Sequence, residues 1–287
     1  IISVPCASTE IDGSGARVNM PLTDRTKRVA DTAVMWARLG MKNNADKKVA
    51  VLLYMYPPKN ANAGGASGLD TFRSVVSLLN RLKDIGYTVS DIPDSPKLLA
   101  DRLLENLTND FSMLSDESVR NRAADTVGKD VYDKWYSELS EKVRSALEDG
   151  WGKPMGDVAV VDGKAAIPGV LFGNVFVGFQ PDRGRDSQRD YHNPNIVMPH
   201  QYLAFYRWLR YIFGADALIH VGTHGTLEWL PGKSVALSSD CCPDFVMDSV
   251  PDIPKDFKSW ITERAASGLE YAFYQKKDNF TLKSYWL

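Results

Sequence analysis

The sequence has 287 residues, 44% hydrophobic and 24% charged, which is long enough for one large or two modest domains with a sizeable core. Its 34 lysines and arginines nearly balance its 36 aspartates and glutamates, and the net charge of −2 argues against binding to nucleic acid. The longest apolar run, residues 49–56, is far shorter than the roughly 20 residues that span a bilayer, so no membrane span is expected.

Cysteine usage and the chain start indicate where the protein works. Cys6 and the adjacent pair Cys241 and Cys242 form neither a disulfide framework nor a C-x-x-C metal pattern, which favours a reducing compartment. The first residues do not resemble a secretory signal, so a cytoplasmic location is expected. Because residue 1 is Ile1 and not Met, we expect the sequence to be part of a longer chain.

Helices and strands are predicted to alternate in the first third of the chain. Apolar spacing predicts a helix over residues 27–39, and a continuous apolar run predicts a buried strand over residues 49–54. A glycine-rich loop, residues 60–68, leads into a predicted helix over residues 69–85. Residues 87–92 are expected to form the second strand of a βαβ unit.

The middle of the chain is predicted to be a charged helical insertion. Its clearest helices cover residues 97–107 and 130–147. Strand character returns in three short segments, residues 157–161, 164–167 and 174–180, with a hairpin turn at Asp162 and Gly163. We expect these strands to resume the sheet.

The last predicted elements bring polar residues to a strand end. Residues 181–199 are polar and too long for a simple connection, which favours a functional segment. An aromatic helix is predicted over residues 202–213, followed by a buried strand over residues 215–221. The predicted fold is α/β, with mostly parallel, doubly wound sheet layers and a helical insertion.

Four parts are expected along the chain. Residues 1–95 contain the βαβ unit, and residues 96–150 form the helical insertion. Residues 151–253 form a second α/β part that carries the histidines, and residues 254–287 are an unassigned tail.

All four histidines lie close together in the sequence: His192, His200, His220 and His224. His220, His224 and Glu228 form the pattern H-x3-H-x3-E, interrupted by glycines. We expect a strand end, a tight turn that exposes His224, and a short helix from near Thr226 that carries Glu228. Such a turn would lie in the crevice beyond the carboxyl ends of the strands, where α/β sheets bind ligands. Imidazole and carboxylate groups there suit metal handling or proton transfer.

Other interpretations remain open at this point. His220 alone could be a hydrogen-bonded core residue, and Glu228 could cap a helix or form an ion pair. The same trio could hold zinc and a bound water in a hydrolase. The loop of residues 64–68 could bind an anion, although it lacks the G-x-G-x-x-G order, and Lys233 lacks the glycine spacing of a nucleotide-binding loop. Arg183 and Arg185 could bind the carboxylates of an anionic ligand.

Long motifs in the sequence closely resemble the large subunit of the CobN / magnesium chelatase H family. They are the segments of residues 47–89 and 167–181, YHNPN and MPHQYLAFYRWLR within residues 191–210, FGADALIHVGTHGTLEWLPGK at residues 213–233, and LSSDCCPD at residues 237–244. They occur in the family's order. The chain is several-fold shorter than that subunit, and residues 254–287 show nothing that aligns with it.

The resemblance implies a tetrapyrrole-binding subunit of an ATP-dependent metal chelatase. The implied reaction inserts Co²⁺ into hydrogenobyrinic acid a,c-diamide, or Mg²⁺ into protoporphyrin IX, while AAA+ partner subunits bind and hydrolyse ATP. A tryptophan at position 229 is nearer the cobalt members. A non-catalytic tetrapyrrole- or metal-binding module is the alternative.

The resemblance also implies roles for single residues. His220, His224 and Glu228 are the expected metal ligands, with His224 and Glu228 also catalytic. The expected tetrapyrrole contacts are Arg183, Arg185, His192, His200, Trp229 and Lys233.

Overall fold

The computed structural model describes residues 6–253, except residues 12, 14, 67, 112–113, 185–189, 191–192, 223–225 and 234–236. The first elements are an antiparallel hairpin, β1 (Cys6–Ile11) and β2 (Ala16–Pro21), and helix α1 (Thr23–Met41). Strand β3 (Val49–Leu53), helix α2 (Thr71–Asp84) and helix α3 (Pro96–Glu105) follow.

The middle region contains both helices and short strands. It comprises α4 (Asp116–Arg122), β4 (Asp125–Gly128), α5 (Lys129–Ser137) and α6 (Glu141–Trp151). Four strands come next: β5 (Val160–Val161), β6 (Lys164–Ile167), β7 (Val170–Phe172) and β8 (Val175–Phe179).

The last described elements surround the predicted site. Helix α7 (His200–Trp208) continues as one π-helical turn, Leu209–Phe213, and ends at Gly214 in the left-handed region. Strand β9 (Ala217–Val221), a short 3-10 helix (Leu227–Trp229), helix α8 (Cys242–Met247) and strand β10 (Asp252–Ile253) complete the described chain.

A five-stranded, mostly parallel sheet organises the fold. Its order is β10-β9-β3-β8-β7, and only β7 runs antiparallel to its neighbour. All five residues of central strand β3 are buried, and their side chains alternate between two apolar clusters. One cluster contains α2 and α3, and the other contains α7. The predicted mixed α/β class with a mostly parallel sheet is confirmed.

The prediction that residues 157–167 resume the main sheet is wrong. Strands β5 and β6 join β4 in a separate three-stranded antiparallel sheet. The predicted hairpin turn is present, because Asp162 and Gly163 both have positive φ angles, 51° and 70°. That tight turn folds β5 back onto β6, and the free side of β6 pairs with β4.

Two other predicted elements differ from the structure. Residues 87–92 are not a strand: the edge of β8 that they would occupy is filled by β7, and Asp91 has a φ of 52°. The helix predicted over residues 130–147 is two helices, because Ser140 caps α6 by accepting a hydrogen bond from the amide of Val143. Residues 254–287 lie outside the described residues, and the division into four parts remains a prediction.

None of the helices in the described part of the chain has the length and apolar character needed to cross a membrane.

Candidate functional site

The predicted site lies at the carboxyl end of β9, in the middle of the parallel sheet. Strand β9 is flanked by β3 and β10, and Val221 at its end is buried. A few residues further on, Thr226 is buried, and the 3-10 helix Leu227–Trp229 begins. The predicted strand and short helix are therefore both present, and the turn predicted between them, residues 223–225, lies outside the described residues. His224 and the side chain of Glu228 lie outside the described residues.

A buried polar network contacts Thr226. Gln180, the first residue after β8, accepts a hydrogen bond from the amide of Thr226 through Oε1 (2.7 Å) and donates to the Tyr206 hydroxyl through Nε2 (2.7 Å). Tyr202 forms a second connection to this turn, since its hydroxyl and that of Thr226 are 2.7 Å apart. Tyr202 and Tyr206 stack with ring centroids 5.2 Å apart, and both are buried. Burial raises the pKa of both phenols well above the usual range, so both stay neutral.

His220 connects this network to the edge of the sheet. Its Nδ1 is 2.9 Å from a carboxylate oxygen of Asp252 on β10, and its Nε2 is 3.0 Å from the Tyr206 hydroxyl. An ionised carboxylate only accepts hydrogen bonds, so Nδ1 carries the proton and Nε2 accepts from Tyr206. Metal-binding histidines are commonly oriented by a carboxylate in this way. Direct metal binding by His220 stays a prediction, and it would require Nε2 to exchange its bond from Tyr206.

Arg183 is fully buried and holds the polar segment that precedes α7. Its guanidinium donates to the backbone carbonyls of Asn193 and Ile196. The side chain thus holds the backbone at Asn193 and Ile196, shortly before α7. Its predicted contact with tetrapyrrole carboxylates remains a prediction.

His200 occupies a similarly enclosed position at the start of α7. It is 1% exposed; its Nδ1 is 2.7 Å from the Tyr132 hydroxyl, and its Nε2 is 2.9 Å from the Gly152 carbonyl. The carbonyl can only accept, so Nε2 carries the proton and Nδ1 accepts from Tyr132. Burial lowers the pKa of His200. Its predicted contact with a macrocycle is untested, and Arg185 and His192 lie outside the described residues.

Trp229 and Lys233 lie on the segment that leaves the turn. Trp229 is half-buried in the 3-10 helix, and Lys233 is exposed. Gly232, just before Lys233, approaches Cys241 at the start of α8 so closely that a Cβ added at Gly232 would lie 2.8 Å from the Cβ of Cys241. The Cys242 amide donates to the Pro231 carbonyl at 2.9 Å. Residues 231–233 are therefore fixed against the start of α8.

A cleft of about 660 Å³ opens beside this segment. Its walls come from α6, from residues 190 and 195–197, and from residues 231–232, 240 and 242, with Trp151, Val143 and Ile196 among the apolar side chains. This volume is within the range of small-molecule sites. The Trp151 indole donates to the Val197 carbonyl at 2.7 Å, so one wall is held rigidly.

Sequence reasoning missed Gln180 and Asp252 altogether. Gln180 follows an apolar run and Asp252 begins the short strand β10, yet neither belongs to a recognisable local pattern. A polar residue at the carboxyl end of a buried strand, as at Gln180, is the one signal that could have drawn attention. Among the described residues, no three His, Cys, Asp or Glu side chains form a metal-binding group.

Known proteins match most of the described chain. An aerobic cobaltochelatase subunit CobN from Pseudomonas aeruginosa is 41% identical over 232 residues, which are 80% of this chain and 18% of that protein. The chloroplastic magnesium-chelatase subunit ChlH of Oryza sativa subsp. indica is 34% identical over 234 residues, covering 81% and 16%. An uncharacterized protein from Methanocaldococcus jannaschii is 42% identical over 234 residues, covering 81% and 19%.

A solved structure shares the fold. The catalytic subunit of cobaltochelatase from Mycobacterium tuberculosis superposes with a TM-score of 0.72 at 33% identity, covering 88% of this chain and 21% of that one. The chain spans about a fifth of the length of the curated relatives named above. The CobN/Magnesium Chelatase family pattern matches residues 1–253. The chain therefore belongs to the CobN/magnesium chelatase family.

Proposed function

We propose that this chain provides the tetrapyrrole-binding, metal-inserting site of an ATP-dependent chelatase, with Co²⁺ as the metal and hydrogenobyrinic acid a,c-diamide as the macrocycle. ATP would be hydrolysed by AAA+ partner subunits and not by this chain. The observation that carries the proposal is the anchoring of Thr226, five residues after the end of β9, by the buried side chains of Gln180 and Tyr202 near the carboxyl edge of a parallel sheet. This is the place where an α/β sheet presents catalytic groups to a ligand.

The reaction needs a metal ligand and a base close together. Insertion of a divalent ion replaces the inner N–H protons of the free macrocycle by metal–nitrogen bonds, so the released protons need an acceptor. We assign His224 to transient metal binding and Glu228 to proton acceptance, since neutral imidazole binds such ions and a carboxylate accepts protons. The two residues are four positions apart on a turn whose following segment is anchored at Thr226.

The macrocycle is assigned to the rim of the same region. Trp229 offers apolar surface, while Arg185, His192 and Lys233 supply polar contacts to carboxylate and amide side groups. Arg183 and His200 are buried, so we assign them to holding the segments that carry these contacts. The cleft beside residues 231–233 gives an edge of the macrocycle room to enter.

Two sequence observations favour cobalt over magnesium. The identity to the Pseudomonas aeruginosa cobaltochelatase subunit, 41%, exceeds the 34% identity to the rice magnesium-chelatase subunit. The tryptophan at position 229 also resembles the cobalt members. Magnesium insertion into protoporphyrin IX is the second candidate.

Tryptophan fluorescence tests macrocycle binding directly, because the chain has seven tryptophans. We expect titration with hydrogenobyrinic acid a,c-diamide to quench the emission saturably with a Kd of about 1 μM or tighter, and protoporphyrin IX to bind at least roughly tenfold more weakly. Stronger binding of protoporphyrin IX would favour magnesium insertion, the second candidate, over cobalt insertion. Absence of binding to both would contradict the proposal.

Replacing Glu228 separates catalysis from binding. Glu228→Gln keeps the shape but removes the base, so we expect Co²⁺ insertion by the chain with its ATPase partners to fall about 10²- to 10⁴-fold. The Kd for the macrocycle should change by less than about twofold, because the base is assigned to the chemical step and not to binding of the substrate. Glu105→Gln, an exposed position on α3, is the matched control. Equal insertion by wild type and Glu228→Gln would contradict the role of Glu228 as the base. Macrocycle binding without metal insertion by the wild type would favour a non-catalytic module, and stoichiometric zinc without macrocycle binding would favour a hydrolase.

A further inference from the structure

We infer that Asp252, Tyr206 and Gln180 are positioning residues for metal insertion, acting together with His220 as a hydrogen-bonded clamp on the backbone of Thr226, which lies between His224 and Glu228 in the sequence. This inference rests on the function proposed above, because it assigns those two residues to the reaction. It goes further by giving His220 a supporting role in place of direct metal binding. We call the four residues Asp252, His220, Tyr206 and Gln180 the turn clamp.

In the turn clamp, each group donates a hydrogen bond to the next group in order, from Thr226 to Asp252. Starting from the turn, the amide of Thr226 donates to Gln180, and Gln180 donates to the Tyr206 hydroxyl. The hydroxyl has one proton, which it gives to Nε2 of His220, and Nδ1 of His220 donates to Asp252. Nε2 of Gln180 also lies 3.4 Å from the Tyr202 hydroxyl, a longer contact that leaves this order unchanged. The carboxylate at the end therefore fixes the tautomer of His220 and, through it, the orientation of the Tyr206 hydroxyl.

The turn clamp joins four elements to one backbone position. Asp252 lies on β10, His220 on β9, Tyr206 on α7 and Gln180 just after β8. Their common target, Thr226, is 4% exposed and lies two residues before Glu228. On the other side of residues 222–225, strand β9 pairs with β3 up to Val221. Val221 and Thr226, which flank this segment, are thus both held by the sheet and its polar network.

Placement of this kind matters for the proposed reaction. Rates of positioned reactions depend steeply on geometry, and a misplacement of about 1 Å can cost a factor of about 10². A phenylalanine at position 206 would fill almost the same volume as tyrosine. The Tyr206 hydroxyl contributes mainly through its two hydrogen bonds, to Gln180 and His220.

The decisive variant is Tyr206→Phe in the full chain, and Tyr136→Phe is its matched control. Tyr136 is also buried and also uses its hydroxyl, to Glu148 and the Arg144 carbonyl, but it is not part of the turn clamp. We expect Tyr206→Phe to speed hydrogen–deuterium exchange in residues 222–230 roughly tenfold without any ligand, as loss of about one buried hydrogen bond predicts. Tyr136→Phe should leave exchange in residues 222–230 unchanged.

Activity provides the second readout. With the ATPase partners present, Tyr206→Phe should lower kcat for Co²⁺ insertion at least roughly tenfold, while KM for the macrocycle changes less than about twofold. A variant that is merely less stable would show no such division between kcat and KM. Tyr136→Phe should keep kcat within about twofold.

Variants at Asp252 keep the test valid if Tyr206→Phe does not fold. Asp252 is 38% exposed, so its replacement is tolerable. Asp252→Asn retains an oxygen that accepts from Nδ1 and should keep kcat within about threefold, whereas Asp252→Ala removes the acceptor and should reproduce the tenfold loss. Rescue by Asn identifies a role in geometry and not in charge.

The outcomes separate this inference from the proposed function. Faster exchange together with lower kcat supports the turn clamp. Unchanged exchange in residues 222–230 overturns it, and so does faster exchange with unchanged kcat. If wild-type chain with ATPase partners neither binds macrocycle nor inserts metal, the proposed function fails and the positioning role fails with it, even where exchange shows that the clamp exists.

Discussion

His200 and His220 both use their two ring nitrogens, but with partners of different kinds. His220 faces the carboxylate of Asp252, which stabilises a proton on Nδ1. His200 faces a neutral hydroxyl and a backbone carbonyl, in a position with 1% exposure. Burial therefore lowers the pKa of His200, and the backbone bond to Gly152 and the charge of Glu148 oppose this only in part.

A pH dependence of stability follows from His200. In the unfolded chain its pKa is near 6.5, and in the folded chain it is lower, so the unfolded state binds more protons as the pH falls through this region. The contribution of neutral His200 to the free energy of unfolding is fully present above about pH 7 and is lost progressively as the pH falls below 6.5. Urea unfolding at pH 7.5, 6.5 and 5.5 should show this decline.

His200→Gln provides the comparison. The variant should be less stable at pH 7.5, because it loses buried hydrogen bonds, by about 1 to 3 kcal/mol. Its unfolding free energy should nevertheless fall less between pH 7.5 and 5.5 than that of the wild type. Parallel pH profiles for the two chains would contradict the buried, neutral state of His200.

At the scale of elements, helix α1 is attached to the rest of the chain by charge more than by apolar burial. Its only buried residues within the described chain are Arg25 and Met35. Arg25 donates to Asp244 on α8 at 2.8 Å, and the two side chains are 7% and 8% exposed. Arg28 also contacts Asp244, at 3.2 Å. A buried charge of this kind is costly when its partner is removed.

Removing the charge of Asp244 should therefore destabilise the attachment of α1. Asp244→Asn keeps the shape but leaves the buried Arg25 with only the half-exposed Asp24 as a carboxylate partner, and we expect a loss of about 2 to 4 kcal/mol in urea unfolding, with faster amide exchange in residues 23–41. Asp31→Asn is the control. Asp31 pairs with Lys27 on the exposed face of the same helix, and its replacement should cost less than about 0.5 kcal/mol. Similar losses for both variants would show that burial does not strengthen the Asp244 pair.

The elements near the site were predictable to different extents for physical reasons. The strand over residues 215–221 and the short helix at Glu228 could be predicted, because apolar runs and glycines act locally. The strand proposed for residues 87–92 was wrong because its place is decided by β7, some eighty residues further along the chain. The turn clamp could not be predicted either, since Gln180 and Thr226 are 46 residues apart and meet only in the folded sheet.

At the scale of the whole molecule, the central sheet is assembled from distant parts of the sequence. Val51 on β3 is paired with Val177 on β8 and with Ile219 on β9. The strand lies in the first predicted part of the chain, residues 1–95, and both of its neighbours lie in the third, residues 151–253. These two long-range strand pairings thus place β3 at the centre of the sheet, between apolar clusters on its two faces.

A fragment of residues 1–95 should consequently not fold alone. Both edges of β3 would be unpaired and its five buried residues would be exposed, which removes the core that α2 packs against. We expect circular dichroism of this fragment to show little cooperative thermal unfolding, whereas residues 1–253 should unfold in one sharp transition. A sharp transition for residues 1–95 would show that the first part is an autonomous domain. If residues 1–95 do not fold alone, the turn clamp and the core depend on the same central sheet, and a change that disrupts the sheet should disrupt both.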